Sequence, residues 1–211
     1  MTARVPLWLA ALFGAVALAA GLVLAPVTPW AQASPAEDSA EVGFARDMRV
    51  HHAQAVAMSV LAFDRTDDPQ VRAVALDIAT TQQAQIGIMG AWLEQWGQRP
   101  SSSGPSMAWT GHDMESGELM PGMASREEMA ALSDARGPEF DRQWATLMHA
   151  HHRGGLPMTE AVLAETELDS VRALAGGMRD SQAAELALLE EIAERAGGQV
   201  DDDDHEEHSY H

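Results

Sequence analysis

The sequence contains no cysteine, and that absence removes disulfide cross-links and thiolate metal ligands together. A metal site in this chain has to be built from histidine, methionine and carboxylates. Basic residues are scarce as well: 13 Lys and Arg stand against 32 Asp and Glu, for a formal net charge of −19. A surface that tracks phosphates needs clustered Lys and Arg, so no nucleic-acid partner is expected. A negative surface concentrates cations instead, although the same charge also suits a protein that is simply well solvated. Aromatic residues make up only 5% of the chain, and the alternating β-branched runs of strands are missing. The sequence therefore reads as all-α. Its 211 residues suit one well-buried domain with tails.

What the chain does have is 12 Met and 9 His. Thioethers stay neutral and able to bind metal in an oxidising compartment, although they can be oxidised to sulfoxide. Export is expected from residues 1–33. Arg4 supplies a positive start, an apolar run extends from Leu7 to Ala25, and Ala31-Gln32-Ala33 is a small-residue cleavage pattern. The run approaches the length of a membrane span, so a cleaved signal and a retained amino-terminal anchor both fit. In either case the body of the protein lies outside the cytoplasmic membrane, as a periplasmic, cell-surface or secreted domain. Membrane contact is expected only through this segment.

The remainder is a repeat. Residues 44–97 and 144–197 align without gaps at an offset of 100, with 14 of 54 positions identical. Met48/Met148, His51/His151, His52/His152 and Met58/Met158 are among them, as are Val71-Arg72-Ala73/Val171-Arg172-Ala173 and Gln82/Gln182. Two copies with the same internal spacing are two copies of one supersecondary unit. Each reads as a helical hairpin. The first helix runs from about Ser39 to Arg65; the second opens at Asp68-Pro69, an N-cap followed by proline at the first helical position, and stops near Trp96 before Gly97. In the second copy the helices span Pro138 to Glu165 and Leu168 to Ala196. A crossover, residues 98–137, joins the hairpins and ends in a short helix with a capping box at Ser125-Arg126-Glu127-Glu128. Two hairpins with one long crossover predict a ferritin-like four-helix bundle over residues 39–198. An acidic tail with histidines follows at 199–211, expected to be disordered and, as a weak alternative, able to capture divalent ions.

At 100° per residue, Met48, His51, His52 and Met58 fall within about 120° of one helix face. The second copy repeats the arrangement with Met148, His151, His152 and Met158. If the two motif helices face each other, up to four imidazoles and four thioethers converge. Thioether sulfur suits Cu(I) and imidazole suits copper and zinc, so copper, as Cu(I) or Cu(II), is expected ahead of zinc. A di-iron site needs core-facing Glu and Glu-x-x-His pairs. Here Met48 and Met148 occupy those positions, Asp47 is matched only by Leu147, and the second helices offer just Gln82, Gln85, Gln182 and Glu185. A competing account makes the methionines core filler and the histidines hydrogen-bonded structural residues. A secondary, looser metal-collecting set is Met107, His112, Met114, Met120 and Met123 in the crossover, with a flexible loop as the alternative. His149 is a further candidate ligand, or simply an exposed residue.

The pattern Phe44-x-x-x-Met48-x-x-His51-His52-x-x-x-x-x-Met58 resembles the signature of the domain-of-unknown-function 305 family. The second copy is similar, with Trp144 in place of Phe. The Met-rich crossover, Glu127–Leu132 and Gly137–Asp141 also resemble it, and the likeness extends from about Glu41 to Gly197. It implies a ferritin-like bundle, export and, for some members, periplasmic copper binding and tolerance. Two departures stand out: His51-His52-Ala-Gln-Ala-Val and His151-His152-Arg-Gly-Gly-Leu-Pro replace the usual His-His-x-Gly-Ala-Ile. Pro157 is expected to kink its helix and to disturb Met158.

The leading expectation is a non-enzymatic copper binder that sequesters or transfers the ion, with binding that weakens as pH falls through the histidine range. A redox-active ferritin-like oxidase and a metal-free interaction bundle are the alternatives. A homo-oligomer stays open.

Overall fold

Side-chain caps open three of the described α-helices. The computed structural model describes residues 34–198 apart from 103, 112, 113, 115 and 116. The apolar amino-terminal run, His112 and the acidic tail lie outside the described residues. Ser39 caps α1 (Ala40–Arg65), its hydroxyl accepting from the Val42 N–H. Asp68 caps α2 (Pro69–Gln95) by accepting from the Gln70 and Val71 N–H groups, and Gly97 follows the helix with φ +69°. Only glycine takes that left-handed turn at little cost. The expected capping box is present at α3 (Arg126–Asp134): Ser125 Oγ accepts from the Glu128 N–H at 3.2 Å and Glu128 Oε2 from the Ser125 N–H at 2.7 Å. The second hairpin is α4 (Pro138–Glu165) and α5 (Asp169–Arg195). Among the described residues there is no strand, and the protein is all-α. No described helix is long and apolar enough to cross a membrane.

The repeated Val-Arg-Ala triplet serves the hairpin turns. Arg72 donates to the Thr66 carbonyl at 2.6 Å, and Arg172 donates to that of Thr166 at 2.5 Å. Each threonine hydroxyl accepts from the backbone N–H two residues on. Arg195 ties the two hairpins together, reaching Asp68 and Gln70 at 2.8 Å.

The hairpins meet through α1 and α4, which pass one another in opposite directions. All four long helices therefore contribute to both of two apolar clusters. One gathers Met58 and Ala62 with Val71, Ile78, Trp144, Met148 and Leu189, closed by Leu132 of α3. The other gathers Phe44 and Met48 with Met89, Met158, Val171 and Met178. Pro157 does not end α4, which continues as one helix to Glu165, and Met158 is fully buried.

The crossover is packed against the body. Met107 and Met120 are buried in the second cluster, and Met114 and Met123 lie against it. Asp47 Oδ2 accepts from both the Met107 N–H and the Trp109 indole N–H at 2.8 Å, while the indole rests on Gly43, where a Cβ would come within 2.2 Å of the ring. Further on, Gln54 grips Ala124 at both its N–H (2.7 Å) and its carbonyl (2.8 Å). A Cβ on Gly154 would stand 2.2 Å from the Pro121 carbonyl oxygen, so only glycine lets the strap Met120–Ala124 lie across α4.

Candidate metal centre

The two motif helices cross at their first histidines. The His51 and His151 rings lie tilted against each other with centroids 3.8 Å apart at 36°, and the neighbouring imidazoles stand further off, at 6.5 Å for His51–His52 and 6.4 Å for His151–His152. All four are buried. The methionines divide between the ends: Met48 and Met158 share one apolar cluster, Met58 and Met148 the other. The eight side chains therefore line one buried seam, with imidazoles at its centre and thioethers towards both ends. They do not close on a single point. Among the described residues no three His, Asp or Glu side chains come together as a ready-made cage.

Each imidazole is oriented through Nε2. His51 bonds the Pro121 carbonyl at 3.0 Å, His151 the His51 carbonyl at 2.9 Å, and His152 Glu185 Oε2 at 2.7 Å. Carbonyl and carboxylate oxygens only accept, so in these three rings Nε2 carries the proton and donates. His52 donates in the same way to Gln85 Oε1 at 2.7 Å. In a neutral ring held this way, Nδ1 keeps its lone pair. Nδ1 of His51, His52 and His152 is buried without a partner, and so are Oε1 of Gln82 and Gln182. Gln182 Oε1 occupies the space where a Cβ on Gly155 would otherwise stand, only 2.4 Å away.

Burial disfavours the charged form of His51, His52 and His151. Desolvation pushes His51 down to about 4, against the partial support of its Pro121 bond, and pushes His52 down to about 3, helped by the adjacent His51. His151 is likewise held well below the ordinary imidazole range by burial, with His51 adding to the effect.

The secondary candidates behave differently. His149 is buried and not the exposed residue that its unique position in the repeat suggested. Met114, Met120 and Met123 belong to the packed crossover, so the free-loop alternative does not hold for them. The sequence pattern left Gln85 and Glu185 as weak ligand candidates and gave no role to the Pro121 carbonyl or to Gln54. The offset of 100 pairs residue 85 with residue 185, one turn beyond Gln82 and Gln182, and that was the available signal.

A buried histidine–methionine seam between two copies of one helical hairpin defines an all-α protein whose core carries imidazoles and thioethers side by side. The chain belongs to the family described as domain of unknown function 305, whose model matches residues 41–193. A secreted member from Streptomyces coelicolor, described as putative, is 42% identical. Its structure covers 79% of this chain and 99% of its own, with a TM-score of 0.74. A fragment of a member from Deinococcus radiodurans is 33% identical, with a TM-score of 0.62, and the match covers 74% of this chain and 96% of that one. CopM in a Cu(II)-bound form is 27% identical, with 74% and 97% covered and a TM-score of 0.60. CopM is also known in Cu(I)-bound and silver-bound forms. None of the curated proteins matches the chain.

Proposed function

We propose that the protein binds copper outside the cytoplasmic membrane, as a sequestering or transferring protein without catalytic turnover, and that the seam is where the ion sits. The observation that carries this reading is the kind of polar atom left without a partner. Among the described residues, the buried side-chain atoms without a partner include five acceptors from the motif histidines and from the glutamines of α2 and α5: Nδ1 of His51, His52 and His152, and Oε1 of Gln82 and Gln182. A cation satisfies orphaned acceptors, whereas leaving each unpaired costs about 1–3 kcal/mol. A histidine whose outer N–H is given to a carbonyl or carboxylate is also the usual form of a metal-ligating imidazole.

Thioethers next to the imidazoles favour copper over zinc, and Cu(I) over harder ions. His51, His52, His151 and His152 supply nitrogen; Met48, Met58, Met148 and Met158 supply sulfur or line the path; Met114, Met120 and Met123 line the crossover end. The Cu(II)-bound form of CopM supports copper as the ion. The location rests on the apolar run and small-residue pattern of residues 1–33 and on a relative described as secreted.

Titration with Cu(I) and Cu(II) tests the assignment, comparing the chain with a variant in which all four histidines are glutamine. Loss of tight copper from the variant is the expected outcome. Unchanged stoichiometry and affinity leave the seam as a structural core only.

A further inference from the structure

The two halves of the seam share one shape but differ by one charge. His52 gives its Nε2 proton to Gln85 at 2.7 Å, and His152 gives its own to Glu185 at the same distance. Residues 85 and 185 are equivalent in the repeat, and both are half-buried. The remaining pair, His51 and His151, donates to neutral backbone carbonyls. Of the four imidazoles, His152 is therefore the one held by a carboxylate. Its ring is fully buried, while the Glu185 side chain keeps 24% of its surface in water, so the charge reaches the seam through the ring at little desolvation cost.

Two consequences follow at Nδ1 of His152. A carboxylate on the far N–H makes the imidazole a stronger donor than an amide does. A fixed negative charge also attracts a dication with twice the Coulomb energy that it offers a monocation at the same distance. We propose that Glu185 is a specificity-determining residue that divides the seam into unlike half-sites, the His152 side preferring Cu(II) and the His52 side accepting the monovalent ion without a charge bias. This inference rests on the copper-binding reading and assigns a charge preference to each side of it.

The repeat itself supplies conservative variants, since each half already tolerates the other's residue type. Glu185→Gln and Gln85→Glu are titrated with Cu(II) and with Ag(I), a soft monovalent probe, with electron paramagnetic resonance reporting the Cu(II) environment. Glu185→Gln is expected to weaken Cu(II) by about ten- to hundredfold, the usual range for an outer partner of a metal-binding histidine, and Ag(I) by only about the square root of that factor, roughly three- to tenfold. Gln85→Glu is expected to add a second tight Cu(II) signal. Equal losses for the two ions, or no change in either, overturn the inference. Copper lost from the four-histidine variant but unaffected by Glu185→Gln sinks only this assignment; a wild-type chain that takes up no copper sinks the function with it.

Discussion

His51 and His52 refuse protons that the unfolded chain accepts. Free imidazole titrates near 6.5, whereas burial moves these two to about 4 and about 3. Below pH 6.5 the unfolded state therefore binds more protons than the folded one, and stability must fall as pH falls. The stabilisation is complete above pH 6.5 and drains away towards pH 4 for His51 and pH 3 for His52, at about 1.4 kcal/mol per pH unit for each ring. Urea midpoints measured at pH 7.5, 6 and 5 should descend steeply, and a His51→Gln/His52→Gln variant should descend less. A flat profile would mean that the rings are reachable by water. At His51 and His52 the same shift places proton competition with a bound ion below the ordinary histidine range.

At the level of helices and connections, the departures from the repeat mark where a single crossover touches one hairpin differently from the other. Asp47 holds Met107 and Trp109, while its counterpart Leu147 packs against the apolar cluster of Trp144 and Leu132. Gln54 grips Ala124, while Gly154 makes room for Pro121. Gly154→Ala should cost about 1–3 kcal/mol, because backbone on both sides has to give. Gly177→Ala on α5, with nothing within 4 Å of the added carbon, should instead stabilise by roughly 0.4–1 kcal/mol. Chemical denaturation of the two variants separates them by sign. Helix limits were legible in the sequence because the residues that stop helices act locally: Ser39, Asp68-Pro69, the Ser125–Glu128 box, Gly97 and Gly197. The packing of the crossover was not, since Asp47 and Gln54 find their partners across 60 and 70 residues of chain.

Across the whole molecule, the helical hairpins and the burial of the motif residues were readable from the offset of 100, but the pairing of the motifs was not. Equivalent residues meet only where α1 and α4 cross, at His51 and His151. Away from the crossing, opposite chain directions set Met48 with Met158 and Met58 with Met148. A helical wheel carries no information about direction between helices, so it could place eight side chains on two faces without saying which would be neighbours. The two ends also differ in composition. Trp144 and Phe140 fill one, and truncating the fully buried Trp144 to alanine should cost about 3–5 kcal/mol. Met48, Met89, Met107, Met120, Met158 and Met178 surround Phe44 in the other, where flexible thioethers outnumber rigid rings among the buried side chains.

X-ray absorption at the copper edge tests the central claim most directly, on the copper-loaded chain with His205, His208 and His211 replaced by alanine so that the tail cannot supply the ligands. The account predicts imidazole nitrogen and thioether sulfur in the same coordination shell, and loss of both signals when His51, His52, His151 and His152 are replaced. A shell of oxygen and nitrogen without sulfur, unchanged by those replacements, would contradict it.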